Sequence, residues 1–234
     1  MKTTIASFIR NLSLGGLLLF AASACDSFLE VAPQSAADSD DLNTPENVEK
    51  MLISAYSSLG NANYQDGMNA YWPYGDLRAG DAYKGGAGTG DMGNFHLFET
   101  FVYLRDDNEY LDKKWYNEFI AIGRTNDALG RLRLIPDGQL PKKKVREAEL
   151  RFLRGHFYFE LKILFKHIPW IDETVKTDDY ITISNAVHTD AQLWDLIIAE
   201  FRFAAENLPE KNDEVGRANK GMAQAYLAKA LLYA

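Results

Sequence analysis

Between Lys142 and Lys166 the sequence is apolar around much of a helical circumference, with Val145, Ala148, Phe152, Leu153, Phe157, Phe159, Leu161, Ile163, Leu164 and Phe165 spread over more than one face. A helix wetted on one side keeps its apolar residues in a single stripe, so this segment needs neighbours on both sides. It reads as the central helix of an α-helical body, stopped by Pro169. Glu147 stands four residues before Arg151, the favourable orientation for an ion pair along one helix.

The neighbours are readable on either side. Thr44-Pro45-Glu46-Asn47 gives a helix start, with Thr44 as N-cap and Pro45 at the first position, followed by Val48, Met51, Leu52, Ala55, Tyr56 and Leu59 at helical spacing. Glu109 to Ile135 carries Leu111, Trp115, Phe119, Ile122, Ala128, Leu129 and Leu132, and stops at Pro136-Asp137-Gly138. After a loop through Asp178 to Val187, a stripe of Trp194, Ile197, Ile198, Phe201, Ala205 and Leu208 predicts a helix over Asp190 to Leu208, and Pro209 separates it from a last one over Arg217 to Ala234. Two helix pairs with proline stops suggest helix-turn-helix repeats, and Phe201, Ala204 and Pro209 fall where a tetratricopeptide second helix places Phe, Ala and Pro. The expected fold is mainly all-α, with tetratricopeptide-like helix pairs over residues 44–234. The last helix reaches Ala234 without a stop signal, so a continuation beyond it is expected.

One segment interrupts this pattern. From Gly60 to about Asp107 the composition shifts to Gly, Asn, Tyr and Asp without a sustained period, which predicts a long irregular insertion after the first helix, a place to look for binding. Its run Gly85-Gly86-Ala87-Gly88-Thr89-Gly90 lacks the Lys-Ser/Thr ending of a phosphate-binding loop and reads as a flexible loop.

The N-terminus has the three parts of an export signal: positive charge at Lys2 and Arg10, an apolar stretch from about Leu12 to Phe20, and small residues up to Cys25, the only cysteine. The apolar stretch is too short to span a bilayer, and Gly15-Gly16 weaken it further as an anchoring helix. Cys25 reads as the acylation site of a bacterial lipoprotein, in which several acyl chains anchor stably where one binds marginally. Cleavage by an ordinary signal peptidase, leaving Cys25 as a free thiol, is the alternative; Ala22 occupies the position where lipoprotein signals usually have leucine. The expected organisation is a signal peptide over 1–24, an acylated tether over 25–43 containing the solvated acids Asp38-Ser39-Asp40-Asp41, and the helical body from residue 44. Without residues 1–24 the formal charge moves from −8 to −10, because Lys2 and Arg10 leave and no acid does; nucleic-acid binding is not expected. Absence of other cysteines excludes intramolecular disulfides and thiolate-ligated metal.

Taken together these segments resemble the SusD/RagB family of nutrient-binding surface lipoproteins. Cys25-Asp26-x-Phe28-Leu29-Glu30-x-x-Pro33 is similar to the family's mature N-terminus, and Asn47-Val48-Glu49-x-Met51-Leu52-x-x-Ala55-Tyr56-x-x-Leu59 to its first helix. Trp115 to Asn126 resembles the next helix, ending in Arg124-Thr125-Asn126. Most specific is Glu147-Ala148-Glu149-x-Arg151-Phe152-Leu153-Arg154-x-x-x-Tyr158-Phe159-x-Leu161-x-x-Leu164-Phe165, continuing to Ile168-Pro169, with Lys166-His167 where the family typically has glycines. Gly216-Arg217-Ala218-x-Lys220-Gly221-x-Ala223-x-Ala225-x-Leu227-Ala228-Lys229 resembles a later helix. The resemblance covers nearly the whole chain but about the N-terminal half of a usual member.

The resemblance implies capture of a nutrient, commonly an oligosaccharide, and delivery to a SusC-like TonB-dependent outer-membrane transporter, from a lipid-anchored position facing the cell exterior. It implies binding without bond breaking, and no cofactor beyond the lipid on Cys25. Sugars offer flat C–H faces for aromatic stacking and hydroxyls for polar side chains. Tyr71, Trp72 and Tyr74 with Asp76 and Arg78 are the cluster of that composition, although packing of Trp72 and Tyr74 onto the helices is the commoner use of such residues. A tetratricopeptide-type scaffold lipoprotein without glycan binding is the alternative function. A hydrolase ranks last: no nucleophile elbow or His-Glu-x-x-His is present, and Asp106-Asp107 and Asp172-Glu173 are sequence neighbours rather than opposed acids. His156 and His167 lie eleven residues apart, about 16 Å along a helix, too far to share a metal, and His156 reads as a packed histidine.

Overall fold

The computed structural model describes residues 42–60, 72–101 and 108–234. The signal segment 1–24, Cys25, the tether to residue 41, Tyr71 and the pair Asp106-Asp107 lie outside the described residues. Among the described residues the architecture is all-α: α1 (Pro45–Ser57), α2 (Asp76–Ala79), α3 (Gly93–Thr100), α4 (Glu109–Leu134), α5 (Lys143–Phe165), α6 (Asp190–Asn207) and α7 (Lys220–Tyr233). Helix α1 starts as its sequence dictates, with the Thr44 side chain accepting a hydrogen bond from the Asn47 N–H and Pro45 in the first turn. Helix α6 has a reciprocal capping box between Thr189 and Gln192. Helix α7 begins three residues later than its apolar pattern suggests, because Asn219 caps it and Arg217 and Ala218 are drawn into contacts with α1 and α5.

Helix α5 is central. It packs against α4 on one side and α6 on the other, α7 packs against α6, and α1 lies on α4 and touches α5. Its Leu150, Leu153, Phe157, Tyr158, Phe159 and Leu161 are buried to within about one per cent. Helices α5 and α6 approach closely at Gly155, where a Cβ would sit 3.0 Å from the Phe201 ring and 3.1 Å from the Glu200 Cβ. The expected Glu147–Arg151 pair does not form. Glu147 meets Lys144 instead, while the Arg151 guanidinium donates twice to Glu200 of α6, a less exposed acid that needs a partner more.

Two groups of charged side chains in this core are mutually hydrogen-bonded. At the first, Arg154 of α5 donates to Glu200 of α6 (3.0 Å), to Asn126 of α4 (3.0 Å) and to Glu173 in the segment after α5, and Asn126 passes a bond on to the Ile171 carbonyl (2.9 Å). At the second, Glu149 of α5 accepts from Arg146 (2.7 Å), from Arg217 (3.1 Å) and from the Tyr56 hydroxyl of α1 (2.8 Å), while that hydroxyl accepts from the Ala218 N–H (2.9 Å). Glu49 of α1 closes the ring by accepting from both arginines. Burial, with the nearby Glu149 charge, pushes the Tyr56 phenol up, so it stays a donor at all physiological pH.

After α5 the chain reverses at Lys166, whose φ of +62° and ψ of −63°, with the His167 N–H on the Phe165 carbonyl at 2.7 Å, make a three-residue γ-turn. This conformation favours glycine. The turn persists because the segment beyond it is pinned: the Tyr158 hydroxyl donates to the Ile171 carbonyl (2.8 Å) and accepts from the Ile171 N–H (2.7 Å), and Trp170 stacks on Tyr158 at 4.1 Å.

A third buried group lies between α4 and α5. Lys114 pairs with Glu118 at 2.7 Å and with Glu160 at 3.6 Å. Burial pushes Glu118 up to about 7, against the pull of Lys114. His156 is fully enclosed between Phe157 and Tyr226, its Nδ1 meets no hydrogen-bond partner among the described residues, and burial, with Lys114 and Lys229 nearby, pushes it down to about 4. The packed-histidine reading therefore holds for His156.

Two measurements test this framework. Arg154→Met leaves Glu200 and Glu173 buried without their shared cation, and chemical denaturation should show a loss of about 3–5 kcal/mol; a loss under about 1 kcal/mol would mean the network is not desolvated in solution. The depressed His156 contributes stability that is present above its unfolded value near 6.5 and lost as pH falls toward 4, whereas the raised Glu118 contributes stability below about 4.5 that is lost as pH rises through 7. The two trends oppose each other. His156→Phe removes one arm, so the variant should gain roughly 2–3 kcal/mol on wild type between pH 7.5 and pH 4.5 in urea unfolding. An offset equal at both pH values would contradict a buried neutral His156.

Candidate functional site

The insertion after α1 is not wholly irregular. Residues 72–75 form turns that lead into α2, with the Leu77 N–H on the Trp72 carbonyl at 3.0 Å, and Gly80 at φ +82° ends the short helix. Enough apolar side chains are present for a small core of their own: Tyr74, Leu77, Phe95 and Phe98 cluster with Tyr110 at the start of α4. Tyr74 meets Phe98 edge-on at 5.4 Å, Phe95 stacks on Tyr110 at 4.0 Å, and the Tyr74 hydroxyl donates to the Tyr110 carbonyl at 2.9 Å. A periodic pattern is invisible here because the core is assembled from turns and two short helices rather than from one long stripe.

The sequence-predicted site residues separate on this base. Tyr74 is buried within the base, its phenol pushed up by burial and by the charges of Glu118 and Tyr110. Trp72 is half-buried and packs edge-on against Phe95 at 5.5 Å. Asp76 opens α2 and is exposed. Arg78 lays its guanidinium 4.3 Å from the centre of the Phe101 ring, and Phe101 is 61% exposed. Tyr74 and Arg78, with Phe98, Leu111, Ile163, Leu164 and Phe165, line a cavity of about 330 Å³.

Sequence reasoning missed Tyr83 and Phe101. Tyr83 is 87% exposed, the most accessible aromatic ring among the described residues. A lone aromatic in a glycine-rich polar stretch, with no apolar neighbour to join, was the available signal. Tyr83 is not on a loose loop. The next residue, Lys84, donates from Nζ to the carbonyls of Gly85 (3.0 Å), Gly88 (2.8 Å) and Asp91 (2.5 Å), so the glycine run closes around an ammonium. Gly86 is required there: its φ is +78° and a Cβ would meet the Asp91 carboxylate at 2.3 Å, while Asp91 accepts from the Ala87 N–H at 2.9 Å. The loop thus turns carbonyls inward and is the reverse of an anion cradle.

The acids considered for hydrolysis are otherwise engaged. Glu173 is held by Arg154 and Arg133, and Asp172 by the Thr174 N–H and hydroxyl at 2.9 and 2.6 Å, with its pKa lowered by those bonds against the effect of burial. Among the described residues no group of three His, Cys, Asp or Glu side chains is placed to hold a metal ion, and no helix is long and apolar enough to cross a membrane.

Comparison with known proteins adds to this geometry. A family model named SusD-like, described as starch-binding and associating with the outer membrane, matches residues 27–232. A SusD-like protein P2 from Formosa agariphila is 31% identical over 129 residues, which is 55% of this chain and 25% of that protein. Two solved structures, the surface glycan-binding proteins A of Bacteroides uniformis and Bacteroides fluxus, are 27% and 25% identical, with TM-scores of 0.67 and 0.69 over 81% of this chain and 42% and 40% of theirs. The corresponding protein of Bacteroides thetaiotaomicron in complex with laminarihexaose shares the fold at 21% identity and a TM-score of 0.67. The chain spans about two fifths of the length of these solved structures and a quarter of that of the curated relative.

Proposed function

We propose a function from the premise that this chain belongs to the SusD-like family, whose model it matches over residues 27–232. The chain is the helical part of a cell-surface glycan-binding lipoprotein, in which residues 25–43 tether an acylated Cys25 to the body and the captured saccharide passes to a SusC-like TonB-dependent transporter. The observation that carries this reading is the exposure of aromatic side chains on the insertion: Tyr83 and Phe101 are largely exposed, the Arg78 guanidinium lies against Phe101, and Asp76 is exposed on the same short helix as Arg78. Open rings suit the C–H faces of a sugar, and guanidinium and carboxylate groups suit its hydroxyls. The names of two relatives at 25–27% identity, both surface glycan-binding proteins, point the same way.

Within that site the four described members of the predicted cluster take different parts. Trp72 and Tyr74 support, and Asp76 and Arg78 are reachable by a ligand. Lys84 is a positioning residue that fixes the backbone next to Tyr83. A tetratricopeptide-type protein-binding scaffold is the second reading, favoured by the packing of consecutive helices α4 on α5, α5 on α6 and α6 on α7.

Native affinity electrophoresis of the full chain against a panel of polysaccharides tests the choice. At least one glycan should retard the protein, and Tyr83→Ala should weaken that interaction by about 1–2 kcal/mol, five- to thirtyfold. No retardation on any glycan, together with a captured protein partner, would favour the scaffold. For the anchor, Cys25→Ala should abolish metabolic labelling with a palmitate analogue and release the protein from membranes; labelling that persists would refute acylation at Cys25.

A further inference from the structure

The C-terminal end of α5 meets the insertion, and the two surfaces do not close completely. The cavity of about 330 Å³ at this junction falls within the range of roughly 300–1,000 Å³ of small-molecule sites. Of its walls, Tyr74, Phe98, Leu111 and Leu164 belong to the small core of the insertion, and Ile163 and Phe165 pack against the main core. All six are buried or half-buried. Trp115 braces the Phe165 ring edge-on at 5.0 Å, so packed side chains hold the walls in place.

One charged side chain lines this cavity, the half-buried Arg78. Arg146, Arg151, Arg154 and Arg217 each hold a carboxylate, but Arg78 makes no ion pair or hydrogen bond with any described residue. Its guanidinium lies against the Phe101 ring, and a guanidinium stacked by its face keeps the N–H donors in its own plane free. The other polar group of the lining is spent: the Tyr74 hydroxyl donates to the Tyr110 carbonyl, and burial keeps it protonated. Lys114, 5.9 Å from the centre of the Tyr74 ring, is paired with Glu118 and Glu160, and none of these three lines the cavity. Asp76, on the same short helix as Arg78, is exposed and does not line it either.

Backbone strain marks the same place. Three described residues other than glycine have positive φ; Phe101, at +55°, is the one against which Arg78 stacks, and Lys166, at +62°, directly follows the lining Phe165. Bulky side chains are strained in that region, and strain of this kind collects at ligand sites.

We propose that this cavity binds a small monocarboxylate carried on an apolar body, an aryl or medium-chain aliphatic acid. The Arg78 fork donates to both oxygens of one carboxylate, and the apolar walls take the body. A single cation matches a single negative charge. A phosphate monoester would bring a second charge that no lining group compensates, and a sugar acid would press its hydroxyls against apolar wall. The inference does not rest on the glycan-binding reading, although both use Arg78.

Calorimetry and methyl NMR of the full chain with trans-cinnamate, octanoate, cinnamamide and glucuronate test the site. At least one of cinnamate and octanoate should bind saturably and shift the methyl resonances of Leu111, Ile163 and Leu164. Cinnamamide and glucuronate should bind at least about tenfold more weakly than that acid. Arg78→Gln should bring cinnamate down to the level of cinnamamide, with the unfolding temperature unchanged because the side chain holds no ion pair. No saturable binding by either acid, methyl shifts that spare these three residues, or an amide bound as tightly as its acid would overturn the proposal. Glucuronate bound more tightly than both acids would overturn it in favour of a sugar acid. A polysaccharide that retards the chain while neither acid binds removes this site and leaves the glycan reading; acids that bind a chain no polysaccharide retards do the reverse.

Discussion

A desolvated guanidinium sets the geometry of this helical body. Arg154 gathers one partner from α4, one from α6 and one from the segment after α5, so three elements distant in sequence are aligned by a single side chain. Arg146 and Arg217 do the same around Glu149 for α1, α5 and the approach to α7. Removing two charges from water costs about what their attraction returns, so such groups contribute little net stability compared with apolar packing. Their consequence is register. A sliding helix would strand a charge in the core at several kcal/mol, whereas leucine against phenylalanine tolerates small shifts. Gly155 enforces the same point sterically, since α5 and α6 can approach only where no Cβ intervenes.

This explains which parts of the fold could be read from the chain. Helix positions follow from apolar spacing and caps, and Thr44-Pro45 and the stripe from Trp194 to Ala205 fold as their patterns dictate. The segments with family resemblance gain a physical meaning: Glu149, Arg151, Arg154 and Asn126 are interior ion-pair and hydrogen-bond partners rather than ligand contacts. The pairing itself was not readable. Glu147 and Arg151 satisfy the local rule and yet do not meet, because the less exposed Glu200 competes for the arginine from another helix. Likewise, the turns and two short helices described in the insertion carry no period, so their small core around Phe95 and Phe98 leaves no pattern in the sequence.

Site residues were harder still, for a related reason. Composition places Trp72, Tyr74, Asp76 and Arg78 together, but only exposure distinguishes a ring that stacks on ligand from one that holds up its neighbours. Tyr74 has its hydroxyl committed to the Tyr110 carbonyl, whereas Tyr83, alone among glycines, has nothing to pack against. Lys84 completes the distinction. An ammonium bonded to three carbonyls replaces the hydrophobic contacts that usually order a loop, so the aromatic ring beside it is presented without being buried. The strained turn at Lys166 follows the same logic in the core: Tyr158 and Trp170 hold the segment after it firmly enough that a lysine is tolerated where glycine would be relaxed.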